Sequence, residues 1–404
     1  MEQIDSFELP KWIERHKSAT SLMLAGSAAP SLSIKDLIQI SGDNQKTSWN
    51  LSLDSVKLAL GPANGSEALR IQIAGLYSDV ITADQLLATN GTTGANSLVM
   101  QSLLRSGDHV IAMYPSYTQL LSVPRAIPGV ELSFWELDTD NQMHANVRFL
   151  ESLIKPNTRM IVLNNPNNPL GTILSLGAQR EIAALAHSHG LVLMVDEIFR
   201  PLFHDAGVDC PPSFVELSED YQNIVVTGSL SKAWGLPGAR VGWIATRNPT
   251  FLAQCAEMGL YSFMALSTLD EAVATEALSD RCRSRILKKH LELARTNIGL
   301  LGDFVDQNQQ VCSWTRPIAG ATAFIRFYNC GAFVDDVDFC LKLLERHGVL
   351  TAPGSLCFGL RDAQDFRGFV RFHLTVQQEV MQSALKELSD FVTYYCYKKQ
   401  RSAG

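Results

Sequence analysis

Cationic excess is missing from this chain of 404 residues. Its 34 Lys and Arg face 41 Asp and Glu, for a formal net charge of −7 and a sequence pI near 5.7. No Lys/Arg-rich run interleaved with aromatics occurs, so nothing marks a nucleic-acid partner. Long apolar runs are missing too. The longest, such as 190–195 (GLVLMV), fall far short of the roughly 20 residues a membrane span needs, so no membrane partner is expected. The opening MEQIDSFELPKWIERHK has no basic segment followed by an apolar one, unlike a secretory leader. The 8 cysteines are unpatterned: the closest pair, Cys330 and Cys340, lies ten positions apart, and no C-x-x-C occurs. That spacing gives no support to structural zinc or a thioredoxin-like site, and it suits reduced core thiols in a cytoplasmic protein. His187-Ser188-His189 lacks a carboxylate at ligand spacing and reads as the solvated last turn of a helix closing at Gly190. No metal site is expected.

With 46% hydrophobic and 19% charged residues, the composition is that of a globular protein, which excludes disorder, collagen and a disulfide-stapled miniprotein. The length predicts between two and three domains at roughly 150 residues each. A mean hydropathy of +0.04 suits a large buried sheet or an oligomer interface. From 84 to 246 short apolar runs alternate with helical patterns, the runs being 85–88, 109–113, 159–163, 191–195, 223–227 and 241–245. Helical stretches such as 96–105 and 177–189 separate them. This alternation predicts βαβ units and a mostly parallel sheet. After Pro249 the pattern is helical, running through 270–301, and an α+β portion follows Gln310. That portion has strands at 322–327 and 369–374, a helix at 335–347 and a last helix from Gln378. The fold class is therefore α/β, a large domain with a mostly parallel central sheet plus a smaller α+β domain. The expected division is 1–48 (N-terminal arm and part of the small domain), 49–290 (large domain) and 291–404 (small domain).

In a parallel sheet the carboxyl ends of the strands share one edge, where ligands bind. Five runs end in polar tips: Thr89-Asn90-Gly91-Thr92-Thr93-Gly94, Tyr114-Pro115-Ser116-Tyr117, Asn164 to Pro169, Asp196-Glu197, and Gly228-Ser229-Leu230-Ser231-Lys232. The glycine loop opens a helix whose N–H groups favour phosphate, or it is simply a tight turn. It lacks the P-loop lysine and the G-x-G-x-x-G spacing, which disfavours nucleoside triphosphates and dinucleotides. Ser229 and Ser231 offer hydroxyls, and Arg240 is a fixed cation suited to phosphate. Asp196, leaving an apolar strand, needs a cationic or N–H partner, and a structural ion pair or helix cap would also supply one. Lys232 is either a desolvated Schiff-base lysine or a snorkelling surface residue. Together with an aromatic at Tyr117, these residues point to pyridoxal 5'-phosphate (PLP), which needs an imine-forming lysine, a carboxylate for its ring nitrogen and a stacking face.

The segment from Ser229 to Trp243 (SLSKAWGLPGARVGW) resembles the S-x-S-K-x-(aromatic)-G-x-x-G-x-R-x-G signature of the class I/II aminotransferases, PLP enzymes of fold type I. Asn164 to Gly171 (NNPNNPLG) resembles that family's N-P-N-N-P-T-G turn, and Asp196-Glu197-Ile198-Phe199 its D-E-x-Y element. Shorter echoes lie at Gly65 to Arg70, Pro353-Gly354-Ser355, Phe358-Gly359 and Val370-Arg371-Phe372. The resemblance implies fold type I, a homodimer, and an amino acid and a 2-oxo acid as substrates. By motif, Lys232 holds PLP as a Schiff base and moves the Cα proton, Asp196 keeps the ring nitrogen protonated, and Tyr117 stacks on the ring. Asn168 bonds the phenolic oxygen and borders the substrate. Gly91, Thr92, Thr93, Ser229, Ser231 and Arg240 line the phosphate side, and Arg371 takes the substrate carboxylate.

Three positions depart from the family pattern. Phe199 stands where the family has Tyr, Leu60 falls where a phosphate-binding Tyr is usual, and Leu170 replaces a Thr. The reading is a PLP-dependent aminotransferase. The alternative is a lyase or a β/γ-substitution or cyclising enzyme of the same fold, to which the loss of the Tyr donor at 199 lends weight. A PLP-sensing transcription regulator would need a fused DNA-binding domain and a basic face, and neither is evident.

Overall fold

The computed structural model describes residues 4–42, 55–138, 145–205, 210–360 and 365–397. Helix α1 (Glu8–His16), strand β1 (Leu22–Met23) and helix α2 (Ile34–Ser41) come first. After α3 (Glu67–Ala74) the chain builds a large sheet with its crossover helices. These are β2 (Leu86–Asn90), α4 (Gly91–Leu103), β3 (His109–Tyr114), α5 (Thr118–Arg125), β4 (Glu131–Glu136), α6 (Val147–Ser152), β5 (Thr158–Asn164), α7 (Leu176–Ser188), β6 (Val192–Asp196), β7 (Ile224–Ser229) and β8 (Val241–Thr246). Helices α8 (Pro249–Ser262), α9 (Thr268–Ala277) and α10 (Arg283–Gln307) follow. The last portion comprises β9 (Cys312–Trp314), β10 (Thr322–Asn329), β11 (Ala332–Phe333), α11 (Asp336–His347), β12 (Val349–Leu350), β13 (Ala352–Pro353), α12 (Gly354–Phe358), β14 (Phe369–His373) and α13 (Gln378–Val392).

The large sheet has 7 strands in the order β2-β8-β7-β6-β5-β3-β4. From β7 to β4 every pairing is parallel, and β8 runs antiparallel between β2 and β7. Strands β3, β6, β7 and β8 are buried along their whole length, as a sheet covered by helices on both faces requires. Side chains alternate between two cores because the strand period is two. Ile111, Ile161, Leu193 and Val226 join one apolar cluster, and Val110, Val162, Met194 and Val225 join the other.

Three sequence expectations need correction. Strand β4 (ELSFWE) is absent from the expected runs. It is the edge strand: Trp135 packs into one core and Leu132 and Phe134 against the other, but exposed Glu131 and Glu136 and the polar Ser133 leave it no continuous apolar run. Helix α4 begins at Gly91 rather than at 96, because the glycine loop is itself the helix's first turn. The helical stretch at 270–301 also divides, with α9 ending at Ala277 and α10 beginning at Arg283.

The second sheet has the order β11-β10-β14-β13, with β9 also on β10. Strand β1 pairs in parallel with β12, which attaches the N-terminal segment to this portion. The domain boundary expected at 290/291 falls inside the continuous helix α10. The one expected at 48/49 lies outside the described residues.

Candidate active site

Strands β2, β3, β5, β6 and β7 point the same way, so their polar tips meet at one edge of the sheet. Strand β8 runs the other way, so its first residue, Val241, pairs with Asn90 at that same edge. This reversal delivers Arg240 there, in the left-handed conformation with φ 48. A cavity of about 860 Å³ opens at the edge, and Thr92, Thr93, Tyr117, Asn168, Asp196, Ser231, Lys232, Arg240 and Arg371 all line it. Gly91 and Ser229 lie just behind the lining: the Ser229 hydroxyl accepts from the Ser231 N–H at 3.2 Å.

One end of the cavity is built for an anion. Helix α4 has no side-chain cap at Asn90, so its first N–H groups are open and carry the positive end of the helix dipole. The Thr92 hydroxyl is buried with no hydrogen-bond partner among the described residues. The Arg240 guanidinium lies so close to Gly91 that a Cβ there would sit 2.5 Å from its Nη2. Arg240 donates to the Ser231 hydroxyl at 3.4 Å and the Pro237 carbonyl at 3.1 Å, and no carboxylate among the described residues pairs with it. A cation set against a positive helix terminus is favourable once an anion sits between them.

At the centre, Asp196 is buried and held on both oxygens. The Asn96 side-chain amide donates to Oδ2 at 2.9 Å and the Ile198 N–H to Oδ1 at 3.0 Å. Burial pushes its carboxyl up to about 6, against the pull of Asn96, the Ile198 N–H and the Lys232 charge. Lys232 is pulled down to about 8 by burial and then by Arg371, with Asp196 opposing. An amine near 8 supplies a neutral nucleophile and base close to neutral pH. The Tyr117 ring meets Phe7 edge-on at 5.3 Å between centroids, and burial raises its phenol above the ordinary value.

At the other end, β14 alternation sends Arg371 and His373 to one face, while Val370 and Phe372 join the core. Buried Arg371 donates to the Asn168 carbonyl oxygen at 3.0 Å and to the backbone carbonyls of Ala25 and Gly26 at 2.5 and 3.2 Å. Its Nε has no partner among the described residues. Burial brings the guanidinium down to about 10, so it stays charged at neutral pH and is free to take a carboxylate in a two-pronged pair.

Of the three departures, Phe199 is buried and lines the cavity. Leu170 is buried in the core, its N–H donated to Asn167. Leu60 is 74% exposed and does not line the cavity of its own chain. His187 stacks on Tyr221 with ring centroids 4.8 Å apart.

Four residues at the site were not picked out from the sequence. Asn96 joins Asp196 to Thr227, whose hydroxyl donates to its carbonyl at 2.7 Å. Gln119 holds the Thr93 carbonyl at 2.7 Å. Ser27 accepts a hydrogen bond from Lys232 Nζ at 2.9 Å, and His373 lines the cavity beside Arg371. Asn96 had a weak signal: it is a polar residue facing the sheet one turn after the glycine loop. Gln119 and Ser27 had none, because their partners lie 26 and 205 residues away in the chain, while His373, two positions after Arg371 on β14, reaches the cavity by strand alternation.

The arrangement offers an open helix terminus and Arg240 to an anion, the Asp196 carboxylate to a cationic group, the Lys232 amine to a carbonyl carbon and the Arg371 guanidinium to a carboxylate. The sequence profile of aminotransferase class I and II matches residues 44–388. Capreomycidine synthase of Streptomyces vinaceus is 29% identical over 352 residues, 87% of this chain and 85% of that protein. A PLP-dependent aminotransferase from Streptococcus suis superposes with a TM-score of 0.88 at 31% identity, over 98% of this chain and 99% of that one. The PLP-dependent cyclase OrfR superposes with a TM-score of 0.83 at 26% identity, over 98% of each chain.

Proposed function

The chain belongs to the class I and II aminotransferase family, and from that premise we propose that it is a PLP-dependent aminotransferase moving the amino group between an α-amino acid and a 2-oxo acid. The observation that carries this reading is a single cavity holding Lys232, Asp196, Arg371 and the open N-terminus of α4. The residues fit PLP. The unpartnered Thr92 hydroxyl, the α4 N–H groups and Arg240 would hold its phosphate, Asp196 its ring nitrogen, Tyr117 its ring face and Lys232 its aldehyde carbon. When bound, PLP supplies an electron-withdrawing cationic ring that weakens the bonds at the amino acid's α-carbon.

The chain's own groups do the rest. Above about pH 6 Asp196 is ionised and favours a proton on a ring nitrogen beside it. Arg371 holds the substrate carboxylate in a buried setting where a charge-assisted pair is strong. Asn168, tied to the Asn164 side chain through its N–H at 2.8 Å, keeps that guanidinium aligned. Lys232 carries the α-proton, and the neutral fraction it needs as a base grows as pH rises through about 8. The outer wall has Phe7, Ile13, Met23, Val376 and Val380, and the described lining has no carboxylate besides Asp196 and no arginine besides Arg240 and Arg371. That lining suits an amino acid with an uncharged side chain.

A second reading is a β/γ-substitution, lyase or cyclising enzyme on the same scaffold. Its support is the similarity to OrfR, a PLP-dependent cyclase, and Phe199, which offers no hydroxyl at the cavity. We also propose a homodimer, because Leu58, Leu60 and Tyr261 stand 82%, 74% and 84% exposed on the single chain. A cytoplasmic setting is supported by eight cysteines that are all free thiols; among the described residues no helix is long and apolar enough to cross a membrane.

Incubating the PLP-loaded protein with single amino acids tests the reaction. One equivalent of 2-oxo acid per site, with turnover only when a second oxo acid is added, supports transamination. Ammonia release or a ring-closed product supports the second reading. Borohydride treatment should fix PLP on wild type and not on Lys232→Ala, and fixation on the variant would overturn the assignment of Lys232.

A further inference from the structure

Residues 24–31 cross the cavity as a strap tied to both sides of it. On the β14 side, the His373 N–H donates to the Leu24 carbonyl at 3.0 Å, and Arg371 holds the carbonyls of Ala25 and Gly26. On the β7 side, the Ala29 N–H donates to the Lys232 carbonyl at 3.3 Å, and the Leu32 N–H just beyond the strap donates to that of Gly235 at 2.9 Å. Close packing fixes the same path. A Cβ on Gly26 would lie 3.1 Å from the His373 ring, and one on Gly235 2.8 Å from the Pro30 carbonyl. Between these anchors the Ser27 hydroxyl meets Lys232 Nζ at 2.9 Å.

We propose that Ser27 is a positioning residue for Lys232, its hydroxyl receiving the lysine nitrogen whenever that nitrogen is not covalently engaged and aiming it for transfer of the α-proton. The proposal rests on the reading of Lys232 as the proton carrier. The chemistry is specific. A primary amine that donates one N–H to a fixed oxygen keeps its lone pair and is left with few rotamers. The same strap lies on Arg371, so the group that takes the substrate carboxylate and the group that moves the proton share one rigid support. His373 adds no charge to this support, because burial and then the Arg371 and Lys232 charges drive its imidazole down to about 3. The charged groups facing Lys232 are Arg371, Asp196 and Arg240, and none of them replaces a hydroxyl at hydrogen-bond distance.

The test compares wild type, Ser27→Ala and Ser27→Thr. In each PLP-loaded protein kcat, KM and the kinetic isotope effect of Cα-deuterated amino acid are measured. In each apoprotein the pH dependence of Lys232 acylation is followed by mass spectrometry. Ser27→Ala should lower kcat about tenfold, the order of one hydrogen bond to a charged group, with KM and PLP content little changed and a larger isotope effect. The acylation midpoint of Lys232 should fall below about 8, because the ammonium loses an acceptor. Ser27→Thr should restore both. An unchanged isotope effect and midpoint in Ser27→Ala, whether or not kcat drops, would overturn the proposal. If no amino acid loses its α-hydrogen in wild type while the midpoint still moves with Ser27→Ala, the reaction reading fails and the Ser27–Lys232 contact stands.

Discussion

Replacing Asp196 by Asn should change the pH dependence of apoprotein stability by an amount that the structure sets. Burial raises the Asp196 carboxyl from 3.8 to about 6, a rise worth about 3 kcal/mol. Between those two pH values the folded protein holds a proton that the unfolded chain has released, so stability falls as pH rises. The penalty is absent below 3.8, grows through about 6 and is complete above it. The neutral amide of the Asp196→Asn variant carries no such penalty. It does lose one acceptor facing the Asn96 amide or the Ile198 N–H, a cost of about 1–3 kcal/mol that does not vary with pH. Subtracting the two stability curves therefore cancels the fixed cost. The variant should gain on wild type by about 2 kcal/mol between pH 4 and pH 7 in the apoprotein. Urea unfolding of both proteins across that range, at matched protein concentration, measures the difference. A difference that stays flat with pH would mean that Asp196 ionises as a solvated carboxylate does. Loading wild type with PLP should flatten its curve, because a cationic ring nitrogen would relieve the penalty, while the variant should bind PLP with little activity.

Phe199→Tyr would return a phenolic donor to the cavity wall. The bound cofactor's visible absorbance should then titrate at lower pH than in wild type, and coincident titrations would refute a role for this position. Arg371→Ala strips Asn168, Ala25 and Gly26 of their donor and leaves the carboxylate unpaired. Amino-acid affinity, read from substrate-induced spectral change, should fall by about a hundredfold or more, as for a lost charge-assisted pair. Gly242→Ala would put a methyl 2.4 Å from the Gly91 carbonyl carbon and 2.7 Å from the Thr92 nitrogen. Pushing the α4 terminus away should cost roughly 1–3 kcal/mol of stability and weaken PLP binding by equilibrium dialysis, with amino-acid carboxylate recognition spared.

The strand-tip residues were legible because a parallel sheet converts a local pattern into a shared location. Each apolar run of β2, β3, β5, β6 and β7 ends in a polar tip, and the common strand direction needs no knowledge of distant contacts. Lys232, Asp196, Asn168, Tyr117 and Thr92 were found this way, Arg240 as a fixed cation close after the last of these tips, and Arg371 came from the motif it resembles. Edge strand β4 was not legible, since Glu131, Ser133 and Glu136 interrupt its apolar residues, and the exposure of its two ends depends on where the sheet stops. The start of α4 was misplaced because Gly91, with φ +72, reads locally as a turn.

The sequence by itself determined which chemistry this protein carries. The order and spacing of its short apolar runs dictate a parallel sheet, and covalent continuity places a lysine, a carboxylate, an asparagine and a glycine loop directly after them. The tertiary structure alone decided the environment that makes those groups act. Asn96 reaches Asp196 across 100 residues and Ser27 reaches Lys232 across 205, and the exclusion of water sets the acid near 6 and the amine near 8. Burial and long-range hydrogen bonds depend on the whole folded chain, so no local stretch of residues can specify them.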